Sequence, residues 1–191
     1  PSAASPSLKP GADIQIGDQL IAINGRQINT ISDLNHQLLN QANKQVLVEL
    51  RRGKKTVQTV VTPATVRQEY RFRYNDWVFN NRAKVEESSK GQLGYLHLYA
   101  MVAKDFGDFT REFYANYKKN GLIIDVRRNR GGNIDSWIIE KLMRRAWMFW
   151  QDRDEDPYAN MQQAFRGHLV ILTDQLTYSD GETFSAGIKA L

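Results

Sequence analysis

The first third of the chain alternates short apolar runs with turn-forming residues. Residues 18–28, DQLIAINGRQI, place apolar side chains before Asn24-Gly25 and predict a β-hairpin, because this dipeptide accommodates the positive φ angles of a tight turn. The stretch TISDLNHQLLNQ that follows predicts a short amphipathic helix, capped at Thr30 or Ser32. Its apolar face is formed by Leu34, Leu38 and Leu39.

A second hairpin is predicted directly after this helix. Residues 46–50 and 57–61 are rich in β-branched side chains and flank the polar segment RRGKK. Such a basic segment is typical of a solvated hairpin tip rather than of a phosphate-binding patch. Pro63 ends the second strand, so residues 1–63 form one α+β unit.

Residues 64–90 lose this regularity. They are charged, carry aromatic side chains at irregular spacing, and follow neither a period of 2 nor one of 3.6 residues. We interpret them as a connector, in which residues 70–85 form a strand or bend running into a short helix. Tyr74 and Trp77 are predicted to be core contacts rather than a platform for stacking nucleic-acid bases.

From residue 91 onward, the pattern predicts strands and helices in alternation. Strands are predicted over residues 91–100, 121–128 and 168–173, and helices over residues 105–119 and 135–150 and from about Gly181. Apolar side chains recur at helical spacing at Phe106, Phe109, Phe113 and Tyr117, and more loosely at Ile138, Leu142 and Trp147. Leu122, Ile123 and Ile124 form the short apolar run of a strand buried on both faces. This alternation implies a mostly parallel α/β layer with helices packed on it.

Composition and charge remove several classes of protein. The 191 residues carry 26 Lys and Arg against 21 Asp and Glu, a net charge of +5, and these charges are dispersed rather than gathered into a basic block that would favour nucleic acid. No apolar stretch approaches the roughly 18 residues of a membrane-spanning helix, and the N-terminal residues lack the pattern of a signal peptide. The absence of cysteine excludes disulfides and thiol nucleophiles, but it leaves the compartment open, with the cytoplasm preferred to the periplasm.

Two loops follow predicted strands of the parallel layer, at the edge where ligands bind in such sheets. The segment RRNRGGN ends in Gly131 and Gly132, which can expose backbone N–H groups before a helix begins. The segment DQLTYSDGETF places Ser179 at the entry of the last helix. If Ser179 attacks a carbonyl group, the N–H groups of Gly132 and Asp180 can stabilise the resulting oxyanion from adjacent loops.

The same residues also have purely structural interpretations. A glycine pair after a strand is a turn in most proteins, and Ser179 followed by Glu182 is typical of a helix capping box. Ser179 also departs from the nucleophile elbow of α/β-hydrolases, because Thr177 rather than glycine stands two positions before it. The local chemistry therefore leaves both interpretations open.

The segment PGADIQIGDQLIAINGRQI, followed by a helix and a closing hairpin, resembles the second half of a PDZ domain of the kind inserted in bacterial processing peptidases. The strand and carboxylate-binding loop with which a complete PDZ domain grips a peptide C-terminus are not found before it. We therefore expect a fragment of a longer protein: a partial PDZ-like domain over 1–63, a connector over 64–90 and a partial catalytic core over 91–191.

A second resemblance covers the α/β region. The segments KGQLGYLHL, GLIIDVRRNRGGN, IIEKLM and GHLVILTDQLTYSDGETFS, in this order, resemble the catalytic core of the tricorn and C-terminal-processing serine peptidases. The tricorn branch is the closer one, because SDGE includes the nucleophile position and RYNDWVFNNRAKVEESSKG resembles that branch's segment before the core. The resemblance implies a ClpP/crotonase-like α/β fold with a mostly parallel sheet.

The resemblance also implies the chemistry. Ser179 matches the nucleophile that forms an acyl-enzyme, Asp180 supplies one oxyanion N–H and Gly132 the other, with Gly131 as the alternative to Gly132. The implied substrates are peptides or unfolded protein termini, without a cofactor or metal, in a protein that can form a homo-oligomer. An acidic residue in the segment RAWMFWQDRDEDPY can favour basic side chains in this family; Trp150 lies at that place, with Asp152 two residues further, so basic and apolar specificity both stay open.

The general base implied by the family is not found in this chain. In the tricorn branch it is a histidine before the PDZ insertion, oriented by partners that include a carboxylate after the nucleophile helix, and in the processing branch it is a lysine well downstream of the serine. His36, His97 and His168 are predicted to be structural, as is Lys189 near the end of the last helix. We therefore expect the chain alone to be inactive. The alternative function is a non-enzymatic PDZ-like module that binds peptides or acts as a scaffold.

Overall fold

The computed structural model describes residues 5–191, and the chain divides into two compact units, one up to Trp77 and one from Val78. In the first unit the elements are β1 (Gln19–Ile23), β2 (Arg26–Gln27), α1 (Ile31–Leu38), β3 (Val46–Arg52) and β4 (Lys55–Val61). The strands form one antiparallel sheet in the order β2-β1-β3-β4. Both predicted hairpins and the predicted helix are confirmed.

The turns and the cap of the first unit follow from the sequence as predicted. Asn24 and Gly25 have φ angles of +50° and +76° between β1 and β2. Thr30 is the N-cap of α1 and forms a capping box with Asp33, whose carboxylate accepts from the Thr30 N–H at 2.9 Å. The buried core of this unit is aliphatic and comprises Ile23, Val46, Val48 and Leu50.

The prediction of a strand or bend in the connector is wrong. Helix α2 runs without interruption from Val66 to Ser88, a length of 23 residues. Its start carries a reciprocal cap, because the Thr65 N–H donates to the Gln68 side chain at 2.7 Å and the Gln68 N–H donates to the Thr65 hydroxyl at 3.1 Å. None of its residues is buried, which explains why the sequence shows no period of 3.6.

The two aromatic residues predicted as core contacts also lie on α2. Tyr74 and Trp77 contact each other, with ring centroids 6.4 Å apart, and both remain partly exposed. They are therefore a surface pair on the helix rather than members of a buried core.

The second unit is the predicted α/β layer. Its elements are β5 (Leu93–His97), α3 (Ala103–Asn116), β6 (Gly121–Asp125), α4 (Asp135–Leu142), β7 (Met148–Trp150), β8 (Tyr158–Asn160), β9 (His168–Leu172) and α5 (Asp180–Ala190). Strands β5, β6 and β9 form a parallel sheet in the order β5-β6-β9, with Ile124 of the central strand opposite Leu96 and Ile171. The predicted parallel α/β alternation is confirmed.

The prediction of one helix over residues 135–150 is wrong in its second half. Helix α4 ends at Leu142, and residues 148–150 form β7, which pairs with β8 in a separate antiparallel sheet. Ile138 and Leu142 are buried four positions apart, but Trp147 comes five positions after Leu142 and is 68% exposed. Because residues five apart do not share a helix face, the apolar period ends with Leu142.

Aromatic side chains form the centre of the second unit's core. Phe109 and Phe113 are one helical turn apart on α3, with ring centroids 5.5 Å apart, and both are buried. Phe113 also meets Phe165 edge to face at 6.4 Å, and Phe184 of α5 belongs to the same cluster. This core fixes α3 and α5 against the sheet.

We predict that Phe113→Ala lowers the free energy of unfolding of the second unit by about 3–5 kcal/mol, because it removes a fully buried ring and leaves a cavity. Urea denaturation followed by circular dichroism measures the change. Phe79→Ala, at a 67% exposed position of α2, serves as the control and should change the value by less than about 1 kcal/mol. Equal effects of the two substitutions would contradict the assignment of this core.

Candidate active site

Two loops leave the carboxyl ends of β6 and β9 side by side, because these strands are parallel neighbours. The loop after β6 contains Asn129, Gly131 and Gly132, and the loop after β9 ends at Ser179. Hydrogen bonds of 2.9–3.0 Å join Val126 to Leu172 and Thr177, Arg128 to Asp174, and Asn129 to Tyr178. The structure therefore brings together the two loops that the sequence singled out.

Asn129 is completely buried and connects three backbone segments. Its Nδ2 donates to the Leu98 carbonyl at 2.8 Å, its Oδ1 accepts from the Gly131 N–H at 2.8 Å, and its own carbonyl accepts from the Tyr178 N–H at 3.0 Å. Sequence reasoning missed this residue. The signal was an asparagine two positions before a glycine, the spacing at which an Asx turn forms.

The glycine pair lies against Ser179 on one side and Met101 on the other. Gly131 has a φ of +73°, and a Cβ there would stand 2.7 Å from Ser179 Cβ and 3.3 Å from Ser179 Oγ. Gly132 has a φ of +157°, and a Cβ there would stand 1.7 Å from the Met101 carbonyl oxygen. Met101 donates to the Gly131 carbonyl and accepts from the Asn133 N–H, both at 2.8 Å. No side chain fits at either glycine.

Ser179 is an exposed residue with an unusual backbone conformation. Its φ of +52° and ψ of −117° are rare for a residue with a side chain, and such strain concentrates at functional sites. Ser179 is also the N-cap of α5, and the Glu182 carboxylate accepts from its N–H at 2.6 Å. The Glu182 half of the capping box anticipated from the sequence is therefore present, and the Glu182 N–H donates to the Ser179 carbonyl at 2.8 Å.

Asp180 holds the two loops together through its side chain. Its carboxylate accepts from the Ile134 N–H at 2.8 Å and from the Asp135 N–H at 3.0 Å, and so caps the start of α4. Within residues 5–191, the backbone N–H groups of Asp180 and Gly132 have no hydrogen-bond acceptor. Of these two residues, Gly132 is exposed and Asp180 is buried.

A buried polar network supports the base of the first loop. Asp125 is completely buried at the end of β6 and accepts from the Tyr95 hydroxyl at 2.7 Å and from Arg127 Nη2 at 2.6 Å. Burial alone would raise the pKa of Asp125, but the hydrogen bonds from Arg127 and Tyr95 outweigh it and hold that pKa below its ordinary value. Burial beside this carboxylate raises the pKa of Tyr95. Near neutral pH, Tyr95 is therefore a neutral hydrogen-bond donor, and Asp125 and Arg127 form an ion pair.

The histidines have structural surroundings. His97 ends β5 and its Nε2 donates to the Arg127 carbonyl at 2.8 Å. Burial lowers the pKa of His97, so the ring is neutral at neutral pH. His36 lies on α1 of the first unit, and His168 starts β9, at the end of the strand opposite to the Ser179 loop. Lys189 is exposed in the last turn of α5.

The residues considered for specificity lie elsewhere. Trp150 is the last residue of β7, is 52% exposed and pairs with Tyr158, in a sheet separate from the one that carries Ser179. Asp152 is exposed shortly after β7. Among residues 5–191, no group of three or more His, Asp or Glu side chains is placed to hold a metal ion. The helices of the same residues include none with the length and apolar character needed to cross a bilayer.

Comparison with known protein families identifies the family of this chain. The model of peptidase family S41 matches residues 92–191, which contain both loops. The chain belongs to peptidase family S41. A second model, that of the tricorn protease PDZ domain, matches residues 1–65. The two resemblances that the sequence suggested are confirmed, as is an α/β fold with a parallel sheet behind a PDZ-like domain.

Similar proteins place this S41 chain near the tricorn branch. Tricorn protease homolog 1 of Streptomyces coelicolor is 35% identical over the whole chain, and Tricorn protease of Thermoplasma volcanium is 32% identical over 98% of it. The crystal structure of the tricorn protease superposes on 91% of the chain with a TM-score of 0.78 and 29% identity. The chain spans 18% of the length of both relatives and 17% of the crystallised chain.

We predict that the buried ion pair of this S41 chain makes its stability depend on acidic pH. Since the pKa of Asp125 in the folded state lies below the ordinary value of about 3.9, its stabilising contribution is complete above that pH and is lost as the pH falls through the folded pKa. Asp125→Asn should be less stable at neutral pH and should lose less stability on acidification than the wild type.

Urea denaturation at a series of pH values between about 3 and 7 measures this difference. Asp154→Asn, at an exposed position, is the control and should follow the wild type. A constant gap between the wild type and Asp125→Asn over the whole range would contradict the prediction.

Proposed function

We propose that the chain carries the nucleophile and the oxyanion donors of a serine peptidase. The Ser179 hydroxyl attacks the carbonyl carbon of a peptide bond, and the departing amine leaves an acyl-enzyme on Ser179 Oγ. Water then hydrolyses the ester and regenerates the serine. The N–H groups of Gly132 and Asp180 stabilise the negative oxygen of both tetrahedral intermediates.

The observation that supports this proposal is the close approach of Gly131 to Ser179, because the residues that follow them, Gly132 and Asp180, carry backbone N–H groups without an acceptor among residues 5–191. Asp180 directly follows the serine, and Gly132 directly follows the glycine that touches it. The choice of Gly132 over Gly131 is supported by hydrogen bonding, because the Gly131 N–H already donates to Asn129 and Gly131 is buried, whereas Gly132 is exposed.

The general base belongs, in this proposal, to a part of the protein outside this sequence. Removing the serine proton requires an acceptor, and the resemblance to the tricorn branch makes a histidine before the PDZ-like domain the leading one. His97 is a poor substitute, because its Nε2 donates to a backbone carbonyl and burial lowers its pKa. The substrates proposed are peptides or unfolded protein termini, cleaved by a protein that can assemble into a homo-oligomer.

One observation favours the alternative, a PDZ-like binding or scaffold module without catalysis. Ser179 is the N-cap residue of α5 and its N–H donates to the Glu182 carboxylate, so this position also has a structural role at the start of the helix. Ser179 can be both a helix N-cap and a nucleophile. The hydrolytic rate of a Ser179 variant therefore distinguishes the two functions, whereas its stability does not.

We predict that Ser179→Ala in the intact protein lowers kcat by at least about a thousandfold, as expected for a lost nucleophile, while peptide binding persists. The Glu182 bond to the backbone N–H of residue 179 survives the substitution, so stability should fall by no more than about 1 kcal/mol in either case. Hydrolysis of a quenched fluorescent peptide and labelling by a fluorophosphonate measure the first effect, and thermal unfolding measures the second.

The matched control is Ser185→Ala, on the same helix. The Ser185 hydroxyl donates to the Gly181 carbonyl at 2.7 Å, within the helix, so its loss should leave the rate within about twofold of the wild type. Near-normal hydrolysis by Ser179→Ala, with lowered stability, would reject the peptidase role of this serine and support the scaffold.

We also predict that the 191-residue chain, purified alone and folded by circular dichroism, hydrolyses peptides at a small fraction of the rate of the intact protein. A serine without a neighbouring base is a poor nucleophile at neutral pH, so several orders of magnitude in rate are missing. Robust turnover that is abolished by Ser179→Ala and also by His97→Ala or His168→Ala would mean that the base lies within this chain.

A further inference from the structure

Three apolar side chains lie on segments that adjoin the residues of the proposed oxyanion donors. Val102 follows Met101, whose backbone packs against Gly132, and it is 45% exposed. Trp137 lies in the first turn of α4, the helix capped by the Asp180 carboxylate, and it is 55% exposed. Phe106 meets the Trp137 ring edge to face, with centroids 5.6 Å apart. We call Val102, Phe106 and Trp137 the Trp137 patch.

The patch is fixed in place rather than loosely attached to the surface. The Phe106 N–H donates to the Val102 carbonyl at 3.1 Å, and the Phe106 ring stacks on Phe109 of the buried core at 6.2 Å. Met101, next to Val102, is completely buried. An exposed tryptophan on so rigid a support leaves apolar area in contact with water, which is typical of a binding surface.

Three charged side chains near the patch are already engaged. Lys104 forms an ion pair with Asp108, the Asp105 carboxylate accepts from the Ala100 N–H at 3.2 Å, and the Asp135 carboxylate accepts from the Ser136 N–H at 2.6 Å. A charged substrate group bound here would lose its hydration without gaining an ion-pair partner among these three side chains. An apolar group would not incur this desolvation cost.

We infer that the Trp137 patch binds a large apolar side chain of the substrate, within two or three residues of the cleaved bond. This inference rests on the proposed peptidase function and names its substrate class. It moves the basis of specificity from the segment around Trp150, which lies in a separate sheet, to the residues that flank the Gly132 loop.

The test compares peptide pairs with the intact protein. In each pair, one position among the three before or the two after the cleaved bond changes from leucine or phenylalanine to asparagine. Trp137→Ala should lower kcat/KM for the preferred apolar peptide by about ten- to a hundredfold and for its polar counterpart by less than about threefold. Trp137→Phe should restore much of the preference. Labelling of Ser179 by a small fluorophosphonate, which carries no peptide side chain, is measured in parallel in the wild type and in each variant.

The outcomes separate the inference from the function on which it rests. Without labelling or hydrolysis in the wild type, the peptidase proposal itself fails. With both present, equal losses for the two peptides of every pair, or no loss in Trp137→Ala, would overturn the inference alone. Phe79→Ala removes an aromatic ring that is 67% exposed on α2 and should leave the peptide preference unchanged.

Discussion

The buried amide of Asn129 is the interaction on which the arrangement of the proposed site depends. It donates to the Leu98 carbonyl and accepts from the Gly131 N–H, so it needs both a donor and an acceptor at fixed positions. An aspartate would set a carboxylate against a carbonyl, and a leucine would leave both backbone groups buried without partners, at about 1–3 kcal/mol each. Of these three side chains, only the neutral amide pairs with both the Leu98 carbonyl and the Gly131 N–H. These two bonds set the path of the chain into the glycine pair.

The glycine pair allows the first loop to approach Ser179 and Met101 closely. Gly131 lies against Ser179 and Gly132 against Met101, at separations that leave no room for a Cβ on either. The Asp180 carboxylate closes the arrangement from the other side by capping α4. The distance between the two loops is therefore set by backbone contacts and by short side chains, the Asp174 and Asp180 carboxylates and the Thr177 hydroxyl, not by long side chains that change rotamer easily. Such rigidity is what a preorganised oxyanion site requires.

Local patterns predicted much of this fold, and the failures have physical reasons. Periodicity and turn chemistry predict the Asn24-Gly25 turn, the Thr30 cap and the parallel strands. Helix α2 has no buried face and therefore no apolar period to detect, although the Thr65 cap at its start is a local signal. The two loops were identifiable from their position after strands. Their adjacency was expected as well, but the Asn129 amide that fixes it was not, because Asn129 bonds segments that are distant in sequence and periodicity carries no information on such pairings.

The capping box bears on which backbone groups can act as oxyanion donors. In chymotrypsin-like enzymes the nucleophile's own N–H contributes to the oxyanion hole. Here the Glu182 carboxylate accepts from the Ser179 N–H at 2.6 Å, so this donor is occupied and a negative charge stands close to it. The N–H of the next residue, Asp180, is vacant and starts the helix, where the dipole favours negative charge. The proposed site thus uses the residue after the nucleophile, as α/β-hydrolases do, without their glycine-flanked elbow. In the proposed site, the cap therefore occupies the Ser179 N–H and leaves the Asp180 N–H as the donor.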